Sequence, residues 1–368
     1  MPAVFEAMEK RSHEEVVFCH DENSGLKAII AIHDTTIGPA LGGCRMYPYS
    51  SEADALRDVL RLSRGMTYKA AIANLNLGGG KAVILGNSKT DKSELLFRSF
   101  GRFVEGLSGR YITAEDVGTS VNDMEWVRME TGYVTGISRA LGGSGDPSPV
   151  TAYGVYVGMK AAVKKATGKD SLSGLKVAVQ GLGHVGYNLC KNLVKDGVSL
   201  VVTDVDREAL QRVAQEFNAQ SVAPDEIYDA DVDVYAPCAL GATINDDTME
   251  RLKCHIIAGA ANNQLEVESV HGPRLAEKGI LYAPDYAING GGLINVANEL
   301  EGYNRDRAFK QTEGIYDTLM RIFTLAEDEN IATYIAANRV AEQRMEALSR
   351  LKNIYLPRQN PMSKRDHK

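Results

Sequence analysis

The sequence predicts an α/β protein of two domains, the second built on a doubly wound parallel sheet. Three observations carry this. The 368 residues exceed the size at which one hydrophobic core keeps growing. From Lys176 onward, short apolar segments alternate with helical patterns, as in a parallel sheet covered on both faces. Between the first two of those segments, VAVQGLGHVG at 177–186 puts three glycines where a strand turns into a helix.

The elements follow in order. GLKAIIAIH (Gly25 to His33) reads as a strand, and Gly38 to Arg45, GPALGGCR, as a turn-rich segment. Ser51-Glu-Ala-Asp54 resembles a capping box, opening a helix with Leu56, Val59, Leu60, Ser63 and Met66 on one face. The same spacing brings Lys69 to that face. Lys81 to Leu85 and Gly109 to Thr113 read as strands, the latter running into Ala114-Glu115-Asp116. Ser138 to Pro149 turns to Gly, Ser and Pro, the composition of a hinge. After a helix from Ala152 to Lys165 come strands at Lys176 to Gln180, Ser199 to Asp204, Val232 to Ala236, His255 to Gly259 and Ile280 to Ala283. Tyr316 to Leu351 is nearly all helix-forming.

Composition narrows the function classes. With 44% hydrophobic and 24% charged residues the chain is ordinary for a soluble globular protein. A net charge of −7 argues against nucleic acid or an anionic membrane as partner; only the tail Lys364 to Lys368 is locally basic, as a solvated end. The five cysteines (Cys19, Cys44, Cys190, Cys238, Cys254) form no C-x-x-C pair, which predicts reduced thiols in the cytoplasm and no metal site. No apolar run reaches membrane-span length, and the charged N-terminus is unlike a signal peptide.

The glycine loop is the strongest physical signal. Gly181 permits the tight turn, Gly183 lets backbone approach a pyrophosphate, and Gly186 lets helix and strand pack closely. The helix N-terminus then faces the phosphates. Asp204, eighteen residues past Gly186, stands where an acid bonds the adenosine ribose hydroxyls and repels a 2′-phosphate. The cofactor predicted is NAD. His184, inside the loop, reads as structural.

A second glycine run, Gly78-Gly79-Gly80-Lys81, suggests a phosphate loop but fails its pattern. The required earlier glycine is Leu75 and the required Ser or Thr is Ala82. Its glycines are expected to let backbone come close to substrate and nicotinamide. The first domain must supply substrate and proton chemistry. Lys69, Lys81 and Asp116 offer a cation for a carboxylate, a donor for a developing oxyanion and a base. Taken singly, each lysine reads equally as surface charge and Asp116 as a turn residue. Two clustered lysines would lower each other's pKa.

The segments GPALGGCRM, RGMTYKAAIANLNLGGGKAVI, GRYITAEDVGT, DPSPVTAYGV, VQGLGHVG, APCALGATIN, AGAANNQL and APDYAINGGGLINV resemble the dehydrogenases acting on glutamate, leucine, phenylalanine and valine. The resemblance runs from about Phe5 to Arg350. It implies a substrate domain at residues 1–137, an NAD-binding domain at 138–330, and C-terminal helices at 331–368 returning to the first domain. It implies that Lys69 binds the substrate carboxylate, that Lys81 polarises the carbonyl or activates water, and that Asp116 is the general acid/base. The side-chain pocket it implies is Leu41, Gly42, Met66, Ala114, Leu293 and Val296, all small or apolar, with Asn262 near the substrate amine and nicotinamide. Gly181, Gly183, His184, Val185, Gly186, Asp204, Cys238 and Ala239 would border NAD. An octamer is implied as well. His184 and Gly186 depart from the Asn and Ala frequent in leucine-specific members. The expected reaction is reversible oxidative deamination of branched-chain L-amino acids to 2-oxo acids and ammonia. The alternatives are a valine- or phenylalanine-preferring relative, and an NAD-binding protein without catalysis.

Overall fold

The structure is a computed structural model and describes residues 4–351. The basic tail from Lys364 to Lys368 lies outside the described residues. The chain divides into two compact units: Met1–Gly145, Val296–Asn304 and Ala341–Lys368 form one, Asp146–Asn295 and Arg305–Val340 the other.

The first unit contains α1 (Val4–Glu9), β1 (Glu15–Asp21), β2 (Leu26–Asp34), β3 (Ala40–Tyr47), α2 (Glu52–Ile72), β4 (Gly78–Leu85), α3 (Glu94–Gly106), β5 (Tyr111–Glu115) and α4 (Val121–Arg128). Its sheet has the order β1-β2-β4-β3-β5. The pairs β1/β2 and β2/β4 are antiparallel, while β4, β3 and β5 run parallel. Alternate residues of β2 face opposite ways. Ile29 and Ala31 meet Leu56, Val59 and Leu60 of α2. Ala28, Ile30 and Ile32 meet Leu96, Phe97 and Phe100 of α3 and Met124 and Val127 of α4. Both faces of β2 are covered, which is why AIIAI reads as an unbroken apolar run.

The segment read as turn-rich, Gly38 to Arg45, is in fact mostly β3, an inner strand. Glycine misled the reading because here it serves close packing. A Cβ on Gly42 would stand 1.7 Å from the Gly80 carbonyl oxygen, and one on Gly43 2.4 Å from that of Glu115. The next strand likewise begins earlier than expected, at Gly78 instead of Lys81.

Helix α2 starts at Ser51, whose hydroxyl accepts the Asp54 N–H at 3.1 Å. Its other end is fastened by residues almost three hundred positions later. The guanidinium of Arg344 donates to the carbonyls of Ala71 (3.1 Å) and Leu75 (2.7 Å) and to the Asn76 side chain (3.0 Å). Tyr68 donates to Glu342 at 2.8 Å. Such a cation supplies the partners that terminal helix carbonyls lack.

The second unit runs α5 (Ser148–Thr167), β6 (Lys176–Gln180), α6 (His184–Lys195), β7 (Ser199–Thr203), α7 (Arg207–Phe217), β8 (Gln220–Ser221), β9 (Val234–Pro237), α8 (Asp246–Arg251), β10 (Ile256–Ile257), α9 (Glu268–Glu277), β11 (Leu281–Tyr282) and α10 (Asp285–Ile288). Then follow α11 (Gly291–Ala297), α12 (Arg305–Thr312), α13 (Ile315–Asp328) and α14 (Thr333–Ser349), of which α11 from Val296 and α14 from Ala341 belong to the first unit. The sheet order is β11-β10-β9-β6-β7-β8, and every recorded pair is parallel. Counted from β6 this is 3-2-1-4-5-6, the doubly wound dinucleotide order, whose direction reverses beside β6. The glycine loop leaves the end of β6, at that switch point. Sequence reading missed β8, which is two residues long and exposed.

Candidate active site

Three strands deliver the charged residues of the first unit to one place. Lys81 is the fourth residue of β4 and only 4% exposed. Asp116 follows the last residue of β5. The Lys81 ammonium bonds Asp116 Oδ2, and Arg45 on β3 donates through Nε to Asp116 Oδ1 at 3.1 Å. The Val117 N–H also donates to Oδ1, at 2.7 Å. The turn itself is held by the Thr119 hydroxyl, which accepts from Asp116 N at 2.8 Å and donates to the Cys44 carbonyl at 2.8 Å.

Burial pushes the Asp116 carboxyl up, but the Lys81 ammonium and its hydrogen bond, then Arg45 and the Val117 N–H, outweigh it and hold the group at about 2. At neutral pH it is a carboxylate in every molecule. The neighbouring Cys44 thiol is pushed well up by burial and stays protonated. Arg45 itself escaped the sequence reading. The available signal was a charged residue ending an otherwise apolar and glycine stretch, GGCRM.

Lys69 lies half-buried in the last turn of α2, three residues after Met66. Of the residues expected to line the side-chain pocket, Leu41 and Gly42 are on β3, and Ala114 on β5 pairs with Gly43 of β3. Met66 Cγ lies 3.3 Å from where a Gly42 Cβ would be. Leu293 and Val296 belong to α11.

The structure corrects the reading of Gly78 to Gly80. A Cβ on Gly78 would stand 2.0 Å from the Asp34 carbonyl oxygen. On Gly79 it would be 2.1 Å from Thr67 N, and on Gly80 2.6 Å from the Tyr111 ring. The protein's own packing demands these glycines, without appeal to a ligand. The Tyr111 hydroxyl, in turn, donates to the Gly42 carbonyl at 2.6 Å.

In the second unit the loop fits a dinucleotide on geometric grounds. Gly181 has φ +97°, and a Cβ there would meet Ala239 at 2.6 Å. A Gly186 Cβ would lie 1.9 Å from the Gly181 carbonyl oxygen. Gly183, the N-cap of α6, has no atom beyond its own chain neighbours within 4 Å of its Cβ position. Backbone N–H groups and the helix terminus there suit a pyrophosphate. Asp204 follows the last residue of β7 and ties the loop, accepting the N–H of Leu182 at 2.5 Å and of Asp206 at 2.8 Å. Each carboxylate oxygen keeps a lone pair for a ribose hydroxyl.

The remaining residues around the loop differ in exposure. His184 is exposed, with Nδ1 3.5 Å from Asp146. Val185 is half-buried. Cys238 N donates to the Gln180 carbonyl at 2.7 Å, and burial pushes its thiol up to about 12. Ala239 is exposed beside the loop. Asn262 is exposed, and its Oδ1 accepts from Asn289 at 2.7 Å. Asn289, 3% exposed and also bonded to the Ala260 carbonyl at 3.0 Å, thereby orients the Asn262 amide. Nothing in the sequence pattern pairs those two asparagines. Among the described residues no helix is long and apolar enough to cross a membrane, and no three His, Cys, Asp or Glu side chains gather as metal ligands.

Comparison with known proteins bears on both units. Residues 13–133 match the Glu/Leu/Phe/Val dehydrogenase dimerisation domain, and residues 142–209 and 199–352 match Glutamate/Leucine/Phenylalanine/Valine dehydrogenase. The chain is 60% identical to a leucine dehydrogenase of Thermoactinomyces intermedius, over 96% of each chain. To that of Bacillus subtilis (strain 168) it is 59% identical, over 96% of this chain and 97% of the other. Among solved structures it is similar to an L-tryptophan dehydrogenase from Nostoc punctiforme. That match has TM-score 0.86 and 50% identity, and covers 95% of this chain and 100% of that one.

Proposed function

The chain belongs to the glutamate/leucine/phenylalanine/valine dehydrogenase family, an NAD-dependent amino-acid dehydrogenase, and from that premise we propose that it deaminates branched-chain L-amino acids, leucine foremost. The balanced reaction is L-amino acid, NAD and water to 2-oxo acid, ammonia, NADH and a proton. One observation carries the chemistry: a buried ammonium, Lys81, bonded to a carboxylate, Asp116, that is ionised throughout the neutral range. Leucine as substrate is supported by the 60% identity to leucine dehydrogenase against 50% to the tryptophan enzyme.

Lys69 binds the substrate carboxylate. NAD, when bound at residues Gly181, Gly183, His184, Val185, Gly186, Asp204, Cys238 and Ala239, supplies the hydride acceptor. Lys81 donates to the carbinolamine oxygen, on which negative charge grows as its hydroxyl gives up its proton and the carbonyl forms, a preorganised cation acting as an oxyanion hole does. Asp116 takes the proton released by the water that adds to the imine carbon and returns it to the departing amine. A carboxylate held at about 2 is a poor base while Lys81 rests on it. Once Lys81 turns its N–H bonds to substrate, Asp116 loses its strongest stabilising charge and its proton affinity rises. Asn262, steered by Asn289, meets the substrate amine.

The residues this reading assigns to the substrate side chain, Leu41, Gly42, Met66, Ala114, Leu293 and Val296, are small or apolar and offer nothing to pair with a distal carboxylate. Burying that charge unpaired would cost several kcal/mol, which disfavours glutamate. We assign residues 1–137 to substrate, 138–330 to cofactor and 331–368 to a return to the first part, with 352–368 outside the described residues; the compact units divide instead at Gly145/Asp146 and Val340/Ala341, with Val296–Asn304 also in the first. The dimerisation-domain match implies an oligomer; we extend this to an octamer in the cytoplasm, which light scattering tests.

The deciding experiment follows NADH formation with a panel of L-amino acids and NAD or NADP. Leucine, isoleucine and valine should turn over with NAD, glutamate should not, and single methylenes should change kcat/KM by about 10–200-fold. No activity with any aliphatic amino acid overturns the proposal and leaves the non-catalytic alternative.

A further inference from the structure

We propose that Arg45 is a positioning residue for Asp116, holding one carboxylate oxygen so that the other stays turned on Lys81, and that it sets the pH range over which the pair works. This rests on the roles given above to Lys81 and Asp116. The two oxygens of Asp116 have separate partners. Oδ1 receives Arg45 Nε at 3.1 Å and the Val117 N–H at 2.7 Å, and neither donor takes part in proton transfer. Oδ2 receives the Lys81 ammonium. A carboxylate pinned on one oxygen cannot rotate to exchange the two.

Arg45 is itself anchored. Its Nη1 donates to Asp58 Oδ2 on α2 at 3.0 Å. The same oxygen accepts the Tyr49 hydroxyl at 2.7 Å, and Asp58 Oδ1 accepts from Arg61 at 2.9 Å. The Arg45, Asp116 and Asp58 side chains are 22%, 21% and 17% exposed, so this is not a loose surface ion pair. The planar guanidinium fork sets direction as well as charge.

The groups facing Asp116 divide cleanly. From β3 come Arg45 and the Cys44 thiol, and from β4 comes Lys81. The Tyr111 phenol stands on β5, and the Val117 N–H and Thr119 hydroxyl belong to the following turn. Glu115, the preceding residue, lies by Gly136. Burial pushes both Cys44 and Tyr111 well up, so both stay neutral. Asp58 offsets part of the Arg45 charge. Two cations remain, and only Lys81 can be redirected to substrate. Arg45 cannot lose its proton at any working pH. It is therefore the charge that remains on Asp116 when Lys81 is engaged elsewhere.

The test uses the full-length enzyme with Arg45→Gln and Arg45→Lys, reading kcat and kcat/KM for leucine against pH at saturating NAD, NADH affinity and thermal melting. In Arg45→Gln, kcat near neutrality should fall about 10–100-fold, as when an orienting partner is removed from a reactive group. The acid limb of the profile should move up by at least about one pH unit, because an opposite charge has left the carboxylate. NADH affinity should not change. Arg45→Lys restores charge without the fork, so its acid limb should return to the parent position while kcat recovers only in part. An acid limb that stays put in a folded Arg45→Gln enzyme overturns the proposal, as does a limb in Arg45→Lys as displaced as in Arg45→Gln. Should Arg45→Gln not fold, Arg45→Lys decides: lowered kcat with an unmoved limb supports the role, and unchanged kcat overturns it. An inactive parent enzyme instead removes the reaction assigned above.

Discussion

Two glycine clusters, Gly78 to Gly80 before Lys81 and Gly181 to Gly186 before α6, look alike in sequence and work in opposite ways. In the first, every missing Cβ would meet the protein's own atoms, at Asp34, Thr67 and Tyr111. In the second, Gly181 and Gly186 satisfy the loop's own geometry, and a Cβ on Gly183 would meet nothing within 4 Å beyond its chain neighbours. Glycine in a strand lets two backbones close on each other, which here pins Lys81 in place. Glycine at a helix N-cap leaves backbone N–H groups open to an anion. The first cluster presents a side chain, the second presents backbone.

The sharpest break between them is Lys81→Ala. We expect kcat to fall by about 10³-fold, the scale of losing a positioned proton-transfer or oxyanion partner, with NADH affinity unchanged by fluorescence titration. Loss of NADH binding would return Lys81 to the phosphates and erase the distinction. Next come paired glycine substitutions. Gly79→Ala sets a methyl 2.1 Å from Thr67 N, and such overpacking costs about 1–3 kcal/mol or more. Gly183→Ala should leave the melting temperature unchanged yet weaken NADH binding. A comparable melting loss in both would show that the clusters do not differ.

The smallest effect concerns acid. His13 Nε2 donates to the Leu60 carbonyl at 3.0 Å, which leaves Nδ1 unprotonated, buried and without a partner. His33 Nε2 donates to the Arg11 carbonyl at 3.0 Å, so its Nδ1 accepts the Thr67 hydroxyl at 2.8 Å. Burial, then the neighbouring His33, lowers His13 to about 4. Its unfolded value is about 6.5, so below that pH the unfolded chain takes the proton first. Stability is therefore full above about pH 6.5 and is lost as pH falls to about 4. Between pH 7 and 5 the melting temperature should drop by about 2–4 °C, and His13→Gln should flatten that slope. The two rings pack edge to face at 4.8 Å, and Thr67 abuts Gly79, so the acid-sensitive patch supports only the first cluster.

What the sequence made legible follows from how local each signal is. The doubly wound sheet could be read because each strand, turn and helix of Lys176 to Asp204 is contiguous. Lys69, Lys81 and Asp116 stood out as charges in glycine-rich or apolar settings. Strand β3 was misread because its glycines resemble a turn until β4 and β5 are placed on either side. The Arg45–Asp116 and Asn262–Asn289 bonds span 71 and 27 residues, and no periodicity encodes such pairs.

The bonds from Arg344 and Glu342 to the end of α2 bear on how the protein is made. Strands β6 to β11 fall within one continuous stretch and can associate as soon as it leaves the ribosome. Helix α2, which carries Lys69, is synthesised early but obtains its C-terminal clasp only when residue 344 emerges. The unit begun first is thus the last to be completed, and a nascent chain holds a finished cofactor sheet before it has a finished catalytic floor.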